Sequence, residues 1–139
     1  MNNLMNAKEI LLSGGYTCVL IKDERIYTSK ERGVKPLIQF FEGKEDLSDF
    51  SAADKVVGKA TAFLYALLGV KEVYASVISK GALCVLRDYG IDAQYETLTD
   101  YIINRKGTDI CPFEKAVSDV NEKEEAYRLI LSRMKEMNT

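Results

Sequence analysis

The chain has 139 residues, 47% of them hydrophobic, with 19 Lys+Arg against 21 Asp+Glu and neither histidine nor tryptophan. A chain of this length typically buries roughly 68–70% of its unfolded surface and needs no metal or disulfide staple, and a formal charge of −2 argues against a nucleic-acid partner, whose phosphates call for a surplus of Lys and Arg. The missing histidine removes the Ser-His-Asp triad, the Cys-His pair, histidine metal sites and the usual general base near neutral pH.

Leu4, Ala7, Ile10 and Leu11 recur at helical spacing and Gly14-Gly15 supplies a left-handed stop, predicting a short first helix. Thr17 to Ile21 is β-branched and apolar, Lys22 to Glu24 is a polar turn and Arg25 to Thr28 a second run, which together read as a hairpin. Val34, Leu37, Ile38 and Phe41 return to helical spacing, with Pro36 in the first turn. From Ser51 to Leu68 the residues Val56, Ala60, Phe63, Leu64, Leu67 and Leu68 form one stripe that stops before Gly69, predicting the central helix.

Glu72 to Ser79 is β-rich and uncharged in its second half, as suits a strand buried on both faces. Lys80 to Tyr89 reads as a helix stopped by Gly90, and Ile91 to Thr97 as a strand joined to its predecessor by a right-handed parallel crossover. Tyr101 to Asn104 reads as a shorter strand. Leu98 to Asp100 cannot hold a crossover helix, so that strand is expected to run antiparallel or lie apart, giving a mixed sheet. Cys111 to Val117 is a helical turn, and residues 121–137 form an amphipathic helix with Ala126, Leu129, Ile130 and Met134 on one side. Without a linker, repeat or low-complexity segment, one α/β domain is expected over residues 1–139.

Cys18, Cys84 and Cys111 are odd in number and contain no C-x-x-C pair, so a reducing cytoplasm is expected. Cys18 and Cys84 lie within apolar runs and read as core residues. The first residues lack a basic segment before an apolar run, and no apolar stretch approaches the ~20 residues of a membrane span, so neither export nor insertion is expected.

The strings AADKVVGKA, LGVKEVYASVISKGAL and YIINRKGTDICPFEKAV, in this order of elements, resemble an uncharacterised family with the cytidine-deaminase-like fold, a domain of unknown function. The resemblance implies a three-layer α-β-α sandwich around a mixed sheet. Zinc deaminases of that fold start the central helix with H-x-E or C-x-E and the helix after the next strand with P-C-x-x-C. Here Ser51-Ala52-Ala53-Asp54-Lys55 and Ser79-Lys80-Gly81-Ala82-Leu83-Cys84 stand at the places so read. Zinc chemistry needs three protein ligands and a water, and Cys84 is at most one. The resemblance therefore carries a fold and a pocket location without deamination, and no metal or cofactor is expected.

Two constellations remain. Asp54, Lys55, Gly58, Lys59, Lys80 and Gly81 sit where the implied fold points two helix N-termini into one crevice, an arrangement that binds anions. Lys55 and Lys59 would be one turn apart, and Gly58 in a helix would cost about 1 kcal/mol against Ala, as a close approach of ligand or backbone would require. The competing reading is structural, with Ser51 and Asp54 as a capping box. In the second constellation, Pro112 favours the first helical position and leaves Cys111 at the N-cap, where a helix dipole favours the thiolate, with Glu114 as a cap or a proton-transfer group.

The sequence thus reads as a deaminase-like, non-zinc domain binding a small anionic or nucleotide-like molecule at helix N-termini. The alternatives are a metal-independent thiol enzyme using Cys111 with Glu114, and a non-catalytic oligomerisation or interaction domain, a homo-oligomer for instance, using a surface such as the Glu124–Met137 helix.

Overall fold

The computed structural model of the protein describes residues 2–31, 33–104 and 106–137. Helix α1 (Asn3–Gly14) opens on Asn2, whose side chain accepts the Met5 amide at 2.8 Å, and closes on Gly15 at φ 71°. The hairpin of β1 (Cys18–Lys22) and β2 (Arg25–Ser29) follows, turning at Asp23 with φ 55°, a left-handed conformation that Asp tolerates. Then come α2 (Lys35–Glu42) with Pro36 in its first turn, β3 (Ser51–Val57), α3 (Lys59–Leu68), β4 (Glu72–Ser79), α4 (Lys80–Asp88) and β5 (Asp92–Thr99). The short α5 (Pro112–Ala116) and the long α6 (Lys123–Met137) complete the order.

The sheet runs β2-β1-β3-β4-β5. β1 is antiparallel to both its neighbours, while β3, β4 and β5 are parallel, so the sheet is mixed. Leu4, Ala7 and Leu11 of α1 pack on Val19, Ile21, Ala53 and Tyr74 on one face. The other helices contribute to the larger core opposite, around Phe50, Phe63, Leu64, Leu86 and Ile130. This is the three-layer sandwich implied by the resemblance. Among the described residues, no helix is long and apolar enough to cross a membrane.

Two predicted elements are corrected. The expected helix over Ser51–Leu68 is a strand followed by a shorter helix, with Gly58 as the N-cap of α3 at φ −94°, ψ 178°. Ser51, Ala52 and Ala53 lie buried between both layers, so β3 lacks the polar alternation that would have marked it as a strand. Asp54 therefore caps no helix, and Lys55 and Lys59 share no helical face. The expected strand at Tyr101–Asn104 is reduced to one bridge between Ile103 and Ile110, and the mixed character of the sheet comes from β1. The parallel pairing of β4 and β5 across α4 is as expected, and a second parallel crossover, through α3, joins β3 to β4.

Candidate functional site

Parallel β3 and β4 end side by side, so the helices that follow them start side by side, on Gly58 and on Ser79. A glycine cannot cap with a side chain, and α3 receives its cap from elsewhere. Glu114 of α5 accepts the Ala60 amide at 3.2 Å, and the neighbouring Lys59 amide and Ser79 hydroxyl are near enough to favour its charged form. Ser79 Oγ caps α4 by accepting the Ala82 amide at 3.1 Å, so the Glu114 carboxylate caps α3 beside the serine that caps α4. The fit is close: a Cβ on Gly58 would stand 2.6 Å from Cδ and Oε1 of Glu114. Since φ −94° is open to any residue, the glycine is needed for room. Burial raises the Glu114 pKa, and the two amides, the Ser79 hydroxyl and the Lys59 charge draw it back.

Lys59 Nζ donates to the Ser118 carbonyl at 2.9 Å and lies 6.0 Å from the centre of the Phe63 ring. Its stem runs past Gly81, where a Cβ would make ordinary contact at 3.6 Å. A cleft of about 110 Å³ beside it is lined by Lys59, Gly81, Cys84, Asp88 and Asn121 among others.

Asp54 belongs to a second cluster. Tyr65 Oη donates to Asp54 Oδ2 at 2.7 Å and lies 3.4 Å from Cys18 Sγ; with the phenol proton committed to the carboxylate, the thiol is the donor in that contact. Burial raises the Asp54 pKa to about 7, against hydrogen bonds from Tyr65 and the Val56 amide and the nearby Lys55 amide, which lower it. The buried Cys18 thiol and Tyr65 phenol are pushed up as well.

The model of the family described as a domain of unknown function, DUF1893, matches residues 6–134. The chain belongs to the DUF1893 family. A solved DUF1893 protein from Thermotoga maritima is 30% identical, with a TM-score of 0.87 over 96% of this chain and 91% of that one. A diaminohydroxyphosphoribosylaminopyrimidine deaminase/5-amino-6-(5-phosphoribosylamino)uracil reductase from the same organism is 15% identical, with a TM-score of 0.43 over 83% of this chain and 40% of its own length. No curated protein matches the chain.

In this DUF1893 chain the structure brings Gly58, Lys59, Gly81 and Glu114 together, and adds Ser79, whose signal was a serine directly before a helix. Lys80 is exposed and paired with Asp100 at 2.8 Å, and Lys55 is an exposed strand residue. Cys111 is the half-buried N-cap of a five-residue helix, and no hydrogen bond joins it to Glu114. The zinc of deaminases finds no fit at these helix starts. Gly58, Lys59, Ser79, Lys80 and Gly81 supply neither thiolate nor imidazole, and the one carboxylate is spent on the Ala60 amide.

The Cys84 expectation is also corrected. Ala82, Leu83, Val85 and Leu86 fill the inward positions of α4 and leave Cys84 exposed, whereas Cys18 is buried as expected. Alkylation by iodoacetamide under native conditions is therefore expected to proceed in the order Cys84, Cys111, Cys18. Peptide mass spectrometry over a time course checks the order, and a Cys111 faster than Cys84 would show a thiol activated beyond what its exposure allows.

Proposed function

We propose that this DUF1893 chain binds a small anion, a carboxylate or phosphate monoester, at the adjacent N-termini of α3 and α4, and that Glu114 is the resident occupant the ligand displaces. The reading rests on one observation. A carboxylate accepts the Ala60 amide in the first turn of α3, beside the Lys59 amide and the Ser79 hydroxyl, at a glycine whose missing Cβ leaves room for it. Bare amides at a helix start form such an anion cradle in general. Lys59, turned to Ser118 while Glu114 is seated, supplies positive charge within reach of the same crevice. The adjoining cleft of about 110 Å³ is well below the roughly 300 Å³ at which pockets for larger ligands begin, which favours a small anion over a whole nucleotide.

Glu114→Ala tests the reading. The variant is expected to lose about 2 kcal/mol, the worth of a charged cap. Millimolar acetate or inorganic phosphate should restore thermal stability to the variant and do little to the wild type. If neither anion raises the variant's Tm more than the wild type's, the crevice is a capping device and the proposal fails.

A further inference from the structure

Strand β5 closes one edge of the sheet, and among the described residues no strand lies on its outer side. Natural edges are blunted by shortness, by lysine or proline, or by a bulge. The opposite edge follows that rule: β2 is five residues long and carries Arg25, which lies over the rings of Tyr27 and Phe50. β5 follows it only weakly. Its eight residues, Asp92-Ala93-Gln94-Tyr95-Glu96-Thr97-Leu98-Thr99, carry two carboxylates but no proline, glycine or basic side chain. Tyr95 and Leu98 are 38% and 40% exposed, and Tyr101 and Ile103 in the following loop are 61% and 52% exposed. Helix α1 shields β1, β3 and β4 and reaches β5 through the Lys8–Glu96 pair at 3.2 Å.

We propose that β5 pairs antiparallel with β5 of a second copy across a two-fold axis at Tyr95, continuing the sheet from one subunit into the next. A closed two-fold contact is isologous, so one residue must face its own copy. Charge chooses which. An axis at Glu96 sets that carboxylate against itself and Asp92 against Asp100, and an axis at Gln94 sets Asp92 against Glu96. Directly opposed like charges disfavour both. Axes at Ala93 or Thr97 shorten the overlap. With the axis at Tyr95, Gln94 faces Glu96 of the second copy twice, amide against carboxylate, Asp92 faces Leu98, and the two tyrosine rings meet. Glu96 stands on the α1 side with Lys8, and Gln94, two residues away, shares that side. Every second residue of the free edge also turns its amide and carbonyl outward, and the pairing satisfies them.

Sedimentation equilibrium over a concentration series is the test. The wild type is expected to be a dimer that Tyr95→Lys, placing two ammonium groups on the axis, converts to monomer. Gln94→Glu should weaken the dimer about tenfold and Gln94→Lys should tighten it, because each change acts twice opposite Glu96. Position 94 is exposed, so both variants keep the fold if Tyr95→Lys does not. A wild type that is monomeric at 200 µM, open-ended assembly, a dimer indifferent to Tyr95→Lys, or Gln94 variants that shift in the same direction would each overturn the proposal.

Discussion

Gly58→Ala is expected to destabilise the fold by about 3 kcal/mol, although the position is the N-cap of a helix and its backbone suits alanine. The added methyl would lie 2.6 Å from the Glu114 carboxylate, so either the carboxylate leaves the Ala60 amide or α5 moves. Overpacking costs roughly 1–3 kcal/mol and loss of a cap roughly 0.5–2 kcal/mol. Urea unfolding of four proteins checks the cause. In a Glu114→Ala background the space is empty, and the same Gly58→Ala change should cost less than about 1 kcal/mol. An equal cost in both backgrounds would mean that the clash with Glu114 is not the reason, since independent sites add.

The second large effect is a pH dependence carried by Asp54. Its folded pKa, about 7, stands above the unfolded 3.8, so the folded state holds the proton more tightly. Its contribution to stability is complete below about 3.8, is lost as pH rises, and is gone above about 7. Fully buried, that difference would correspond to at most about 4 kcal/mol; because the residue is part-exposed, about 2–3 kcal/mol is expected. Asp54→Asn keeps an acceptor for Tyr65 and removes the titration. Relative to the wild type, it should gain about 2–3 kcal/mol in urea unfolding between pH 4 and pH 8. A difference that stays flat across that range would show a carboxylate already ionised at pH 4.

The elements with strong local signals were legible. The hairpin, β4, α4 and the amphipathic α6 needed only alternation, a Gly stop or a 3.6-residue stripe. The join of β3 and α3 was not, because Val56 falls by coincidence on the stripe of Ala60, Phe63 and Leu64, and because Ala52 and Ala53 favour helix while tertiary packing holds them in a strand. Gly58 did announce a close approach, but the group that approaches comes from a residue 54 positions away, which no local pattern encodes. The Asp54–Tyr65–Cys18 chain was hidden by the same misreading. Along one continuous helix Asp54 and Tyr65 would stand about 16 Å apart, at 1.5 Å per residue, and only the reversal at Gly58 brings them into contact.

The long reach of Glu114 also sets a timetable for synthesis. All five strands and helices α1 to α4 precede residue 112, so the sheet is complete in sequence before α5 exists. At roughly 5–20 residues per second, the ribosome adds the 54 positions from Ala60 to Glu114 in about 3–10 s. Throughout that interval the first turn of α3 has no acceptor for its amides, and its outer flank lacks α6. The Ala60 amide thus gains its carboxylate acceptor only after every strand and the first four helices have been synthesised.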